Sequence, residues 1–213
     1  MTELTEVERP ETGVDGRALT SRGRKTRRRL LESAEQVFAE LGYHDASIVK
    51  ITEGAGVGQG TFYLYFAGKA EIFDELVRDL NAKVRHAMSE GAAKGTTRAE
   101  QERLGFRAYF SFVSEHPALY RVMRQAEFVC PDTLHCHYEK IAEGYIDALR
   151  TAMKRGEVSK GDPEIMAWAL MGMGELLGLR LVLWGDGRGM ELDQVEEIGR
   201  IIDRVLGPGT EAT

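Results

Sequence analysis

Gln59, Thr61, Tyr63 and Tyr65 fall within one seven-residue stretch, and each carries a group that can meet nucleic acid. An amide such as Gln59 can pair with a base edge, and Thr61 and Tyr63 can reach a base, a thymine methyl or a phosphate. Upstream, Arg22, Arg24, Lys25, Arg27, Arg28 and Arg29 put six positive charges into eight residues with no acid among them. A helix N-terminus is already positive, so this cluster is unfavourable there unless an anion relieves it. Lys69 lies beside another helix start, where a lysine and free amides can hold a phosphate together. Other chemistry finds less support. Cys130, His135, Cys136 and His137 are close in sequence, but Cys136 falls between the histidines on a different helical face. We read them as structural cysteines and surface histidines and expect no metal. Gly56, Gly58 and Gly60 do not make a dinucleotide loop, because the third glycine position falls at Thr61 and a helix precedes it. No His-Glu-x-x-His, phosphate loop or nucleophile elbow is present, so we expect no catalytic residues and no cofactor.

The elements that must position these groups follow from spacing. Ile48, Ile51 and Ala55 form the inner face of a helix, with Ser47 placed to cap its first turn. Gly56-Val57-Gly58 breaks that helix, and Gln59 to Phe66 resumes the period. Phe62 and Phe66 then share one face, leaving Gln59, Gly60, Thr61, Tyr63, Leu64 and Tyr65 largely outward. So many bulky outward side chains on one short helix call for a partner. Two helices joined by a glycine turn, the second presenting a reading face, form a helix-turn-helix.

The totals bound the rest. The chain has 213 residues, 43% of them apolar, enough to bury a real core. Helix formers dominate and five prolines interrupt the chain, so the fold class is all-α, with about nine helices. The net charge of −6 argues at first against nucleic acid. Without the six clustered cations the balance is −12, so the acidic character belongs to the remaining residues. Screening confines each charge to roughly 8 Å at physiological salt, and a local basic patch still attracts phosphate. Two cysteines give no disulfide framework, and Met1 to Ser21 shows no basic-then-apolar leader, so a reducing cytoplasm is expected. Met166 to Trp184 is the longest apolar stretch, but Glu175 and Arg180 interrupt it and no membrane span is expected.

In order, residues 1–21 read as a disordered tail and 22–68 as the helix-turn-helix head. The head's first helix runs from about Arg24 to Leu41, ended by Gly42. Residues 69–207 form the body and 208–213 a tail. Body helices are expected from Lys69 to about Met88, then over 100–115, 117–128, 131–155, 163–184 and 192–206, with a plausible hinge at 91–97 and a loop at 185–189. The excess of aromatic and methionine residues points to a cavity for an apolar or amphipathic small molecule. Its candidate lining is Phe106, Tyr109, Phe110, Met123, Tyr138, Tyr145 and Met173, although ordinary core packing would look similar. Glu127 and Glu175, charges beside apolar runs, are candidate polar anchors or equally salt-bridge partners. The penultimate helix is apolar all round, through Trp168, Met171, Leu179 and Leu183 among others, so something besides its own body must cover it.

The stretch GVGQGTFYLYFAGKAEIF, Gly56 to Phe73, resembles the signature of the TetR family of ligand-responsive transcription regulators, within a match from about Thr26 to Leu80. The resemblance implies a three-helix DNA-binding head and a helical body that binds an effector and dimerises. It implies Ser47, Tyr65 and Lys69 as phosphate anchors and Gln59, Gly60, Thr61 and Tyr63 near the bases. Arg24 and Lys25 join them from the basic cluster. It also implies a homodimer sealed by the last two helices, Ile198 and Ile202 included, on a palindromic operator that effector binding releases. The chain departs from the family pattern at Gly58, where a capping hydroxyl is usual, and at Leu64, often aromatic or histidine. The rival class is an all-α small-molecule-binding protein or enzyme that never touches DNA.

Overall fold

Several helices begin where a side chain answers the free amides of a first turn. Thr20 accepts from Gly23 N–H at 3.1 Å and opens α1, Ser21–Asp45. Ser47 accepts from Lys50 N–H at 3.3 Å and opens α2, Ile48–Ala55. The reading helix α3, Gln59–Phe62, starts at Gly58 with no side-chain cap, as the missing hydroxyl there implies. Then come α4, Lys69–Ala92, and α5, Arg98–Glu115, the latter entered through a capping box between Thr97 and Glu100. They are followed by α6, Ala118–Val129, and α7, Pro131–Lys154. Asp162 caps α8, Pro163–Gly178, with proline in its first turn, and α9 is Leu192–Leu206. The computed structural model describes residues 12–185 and 191–207. Among these there are nine α-helices and no strand.

Besides α1 and α4 running on to Asp45 and Ala92, three further features differ from expectation. Residues 12–20, read as part of a disordered tail, form a bridged turn in which Thr12 pairs with Ala18. It docks on the end of the reading segment through Val14 N–H donating to the Leu64 carbonyl at 3.1 Å. The penultimate helix is α-helical only to Gly178 and widens into a π-helical turn over Leu179–Leu183. The stretch after Phe62 is a turn rather than a continued helix. Residues 1–11 and 208–213 of the expected tails and 186–189 of the expected loop lie outside the described residues.

One apolar core runs from head to body. Leu30, Phe38, Ile51, Phe62 and Phe66 close the head, and Ile72, Phe73 and Leu76 on α4 continue it. Helix α4 packs against α1, α5, α6 and α7, which makes it the central strut. Helix α1 packs along α6, so the head also meets the body directly. The apolar stripe of α9 turns inward: Ile198 and Ile202 are 5% and 0% exposed within a single chain. Their expected place at the dimer seam is therefore corrected, since α9 spends that stripe on α5. Leu179, 6% exposed, is buried in the same way.

Asn81 on α4 is buried, and its Nδ2 has no hydrogen-bond partner among the described residues. A buried unmet donor costs roughly 1–3 kcal/mol. Asn81→Leu is expected to raise stability by about 1 kcal/mol, read as a higher urea midpoint with an unchanged slope; a lower midpoint would show that the amide is satisfied in solution.

Candidate DNA-reading surface and body cavity

The head divides the sequence cluster by helical face. Arg27 turns inward, paired with Glu75 at 2.7 Å and lying over the Phe66 ring at 5.3 Å. Arg29 donates to the Ala55 and Gly56 carbonyls and caps the end of α2. There Gly56 adopts φ 62°, a left-handed turn that favours glycine. Arg22, Arg24, Lys25 and Arg28 stay exposed on the other side, with Arg24 also donating to the Leu19 carbonyl at 2.9 Å. The basic surface is thus a subset of the run, and the remainder stitches the helix-turn-helix together.

On α3 and the turn after it, the inward and outward faces fall as the spacing implies. Phe62 is 0% exposed and Phe66 1%, whereas Tyr63 is 50% and Leu64 63% exposed. Gln59 and Gly60 are exposed, and Thr61 and Tyr65 are partly so. Tyr65 also packs against the core, which fixes its ring beside the reading face. Ser47 both caps α2 and keeps part of its surface.

Lys69 is the exception. Its ammonium donates to the carbonyls of Tyr43 at 2.7 Å, His44 at 3.2 Å and Ala46 at 2.9 Å, and lies 4.6 Å from the Tyr43 ring centroid. Three donors meet three acceptors, so the expected phosphate anchor is instead a clasp on the negative end of α1. No spacing rule reveals this, because the partners lie 23 to 26 residues away.

Residues 30–76 match the family model described as bacterial regulatory proteins, tetR family. The match takes in most of the head and the start of α4, so the likeness to the TetR family is shown for that segment. Two relatives from Bacillus subtilis (strain 168) illustrate how far the likeness extends. The HTH-type transcriptional regulator YdgC is 43% identical over 67 residues, 32% of this chain and 34% of that one. The fatty acid metabolism regulator protein is 28% identical over 137 residues, 62% of this chain and 70% of that one. The chain therefore spans about a third of the first relative and more of the second. Among solved structures, FadR from Bacillus subtilis in complex with stearoyl-CoA superposes with a TM-score of 0.73 at 23% identity, over 84% of this chain and 97% of that one. A TetR family regulator from Marinobacter aquaeolei VT8 also gives 0.73, at 17% identity over 88% and 98%.

The body holds a small cavity of about 70 Å³ between α4, α5, α7 and α8. Of the candidate lining residues, Phe106, Tyr109, Tyr138, Tyr145 and Glu175 border it. Met171 lines it too, although its all-apolar helix had assigned it to the dimer seam. Phe110, Met123, Glu127 and Met173 do not line it. Phe110 is 1% exposed core, Met123 and Met173 pack against that core, and Glu127 is exposed on α6. The sequence reading missed Val84 and Met88 on α4 and His137 and Ile141 on α7. Their signal was an apolar stripe that core packing explains equally well. The cavity's polar groups are mostly paired already: Tyr138 donates to Glu175 at 2.5 Å, and the Tyr109 and Tyr120 hydroxyls are 2.6 Å apart. Burial, together with the nearby Glu175 carboxylate, pushes the Tyr120 phenol up to about 12 and keeps Tyr138 protonated. Among the described residues no group of three or more His, Cys, Asp or Glu side chains is placed to hold a metal.

His137, read as a surface histidine, is 9% exposed and sits 3.2 Å from Arg85. Burial first, then the charges of Arg85 and Lys140, hold its pKa down to about 3. An unfolded histidine takes a proton near 6.5, so its neutral burial contributes fully above that pH and is lost as pH falls toward 3. Between pH 6.5 and 5 the chain is expected to lose about 1.5 kcal/mol from this group, given about 1.4 kcal/mol per unit. Urea titrations of wild type and His137→Gln over that range should differ in slope, and parallel lines would contradict the assignment.

Proposed function

We propose that this chain is a homodimeric one-component repressor in the cytoplasm that holds a palindromic duplex through its two heads and releases it when a small molecule enters the body. The observation that carries the reading is the face bearing Gln59, Gly60, Thr61 and Tyr63, exposed beside Arg22, Arg24, Lys25 and Arg28. A helix fits the major groove, and the flanking cations supply phosphate contacts that fix its register. Binding of the protein to duplex DNA from upstream of its own gene, followed by gel shift across a salt series, tests it. A steep loss of affinity with salt is expected. Absent or sequence-independent binding would favour the rival, an all-α small-molecule binder.

For the dimer, Ile165, Trp168 and Leu176 are 67%, 39% and 61% exposed on α8, with exposed Ala169 and Gly172 between them. The spacing is that of one helical stripe, and small residues in its middle allow close approach of a second helix. Trp184, 62% exposed, extends it beyond the π-helical turn. Residues Pro163–Leu183 are long and apolar enough to cross a membrane by length and composition, with a mean hydropathy of 1.5 in the most apolar window. Their other face packs on α7, so a second copy of this chain is the better cover. Leu176→Arg is expected to give a monomer by light scattering and to weaken duplex binding; a dimer of undiminished stability would place the seam elsewhere. Two heads related by symmetry would then meet half-sites about one DNA turn apart, roughly 34–36 Å in the simplest case.

The effector fits an apolar or amphipathic molecule, since Phe106, Met88 and Met171 give the cavity a soft lining around two polar pairs. The relative solved with stearoyl-CoA supports a long acyl chain as one candidate. A cavity of about 70 Å³ holds a few waters and no such chain, so entry must move α4, α7 or α8. The effector acts only as far as its affinity differs between closed and opened geometries.

A further inference from the structure

Helix α1 carries one left-handed residue, Gly42 at φ 78°, and the chain leaves the helical path there before α2 begins. Ala46 N–H donates back to the Gly42 carbonyl at 3.1 Å, and the corner's other partners come from other elements. One is Gln125, on body helix α6. Its Oε1 accepts the Tyr43 N–H at 2.5 Å, and its Nε2 donates to the Phe38 carbonyl at 3.2 Å and to the Arg121 carbonyl of its own helix at 2.6 Å. One side-chain amide thus spans the break in α1, tied on both sides and braced from behind. The corner is gripped again by Lys69 on α4, through the carbonyls of Tyr43, His44 and Ala46. The Tyr43 ring packs on Phe38 at 5.9 Å and Phe73 at 5.2 Å. The next residue, Ser47, is the cap of α2. Whatever moves the corner moves the start of the helix-turn-helix.

The same α6 reaches the cavity. Tyr120, five residues before Gln125, meets the cavity-lining Tyr109 through paired hydroxyls. At 1.5 Å per residue the two ends of this lever lie about 7.5 Å apart along the axis. We propose that Gln125 is the positioning residue that carries the body's state to the DNA-reading head, by latching α6 onto the 42–46 corner of α1. This rests on the regulator reading above. A change at Tyr109–Tyr120 shifts α6, and the amide passes that shift to backbone groups that cannot slide along it without losing a hydrogen bond. Coupling is reciprocal, so duplex binding at the head must also alter α6.

That reciprocity gives a test needing no effector. Amide hydrogen exchange is followed in the full chain, with and without duplex from upstream of its own gene, for wild type, Gln125→Met and Gln125→Glu. In wild type, duplex is expected to slow exchange in 59–66 and, at a distance, in 118–129. In Gln125→Met, which keeps size and loses every hydrogen bond, the effect on 59–66 remains and that on 118–129 falls at least fivefold. Gln125→Glu keeps the acceptor for Tyr43 N–H and should give an intermediate response, also serving if the methionine variant does not fold. A merely structural amide would lower stability yet leave the response of 118–129 intact. Wild-type α6 indifferent to bound duplex, or variants responding as wild type does, would overturn the proposal while sparing the regulator reading. Failure of wild type to bind any duplex would bring down both.

Discussion

Tyr63→Ala should abolish most of the operator affinity while leaving the fold almost untouched. The side chain is half exposed at the end of α3, and among the described residues its one ring contact is edge-on against Phe62 at 5.4 Å. Removing it costs little packing, and an exposed substitution of this kind stays within about 0.5 kcal/mol of stability. A groove contact is different, because a base or phosphate then loses its partner. At about 1–2 kcal/mol per head, felt twice in a symmetric dimer, binding falls by roughly 30- to 1000-fold. Gel shift and thermal melting on one preparation read both quantities. Equal losses in the two would mean that Tyr63 supports the head's core and does not face DNA.

Lys69→Met is expected to fail in the opposite way. Three hydrogen bonds from an ammonium to the end of α1 vanish together with the contact on the Tyr43 ring. Charge-assisted bonds of this kind are worth about 1.5–3 kcal/mol and are not additive, so the loss is set at about 2–3 kcal/mol of stability. Affinity for duplex falls too, because the corner before Ser47 loosens. The salt dependence separates this from the anchor role that the family resemblance implies. A lost phosphate contact in each head lowers the slope of log affinity against log salt by about 0.9 per head, about 1.8 for the dimer, whereas a lost clasp leaves the slope as it was. An unchanged melting temperature with a shallower slope would restore Lys69 to the DNA surface.

Much of the head was legible because its signals are local. Ser47 before Ile48, glycine at 56 and 58, and Phe62 spaced four from Phe66 each act within one or two turns, and the structure places each accordingly. The same holds for Asp162-Pro163 at the start of α8. What could not be read is which neighbour answers each face. The stripe of Ile198 and Ile202 is visible in sequence, but an α5 partner and a second chain would leave the same pattern. His137 looks exposed among polar neighbours until α4 brings Arg85 against it. Arg27 and Arg29 are indistinguishable from Arg24 and Arg28 in a run of like charges, and only the helical face decides which meet Glu75 and the end of α2. The cavity was half legible for a similar reason. Aromatic excess located Phe106, Tyr109, Tyr138 and Tyr145, while α4 contributed Val84 and Met88 from a stripe that reads as plain core.

Hydroxyl-radical footprinting of the wild-type protein on duplex from upstream of its own gene, with the protein-to-duplex ratio determined alongside, tests the central claim most directly. The account predicts paired protected patches related by two-fold symmetry, one head per half-site, which disappear together in Tyr63→Ala. A single asymmetric patch held by one chain, or protection that survives that substitution, would contradict it.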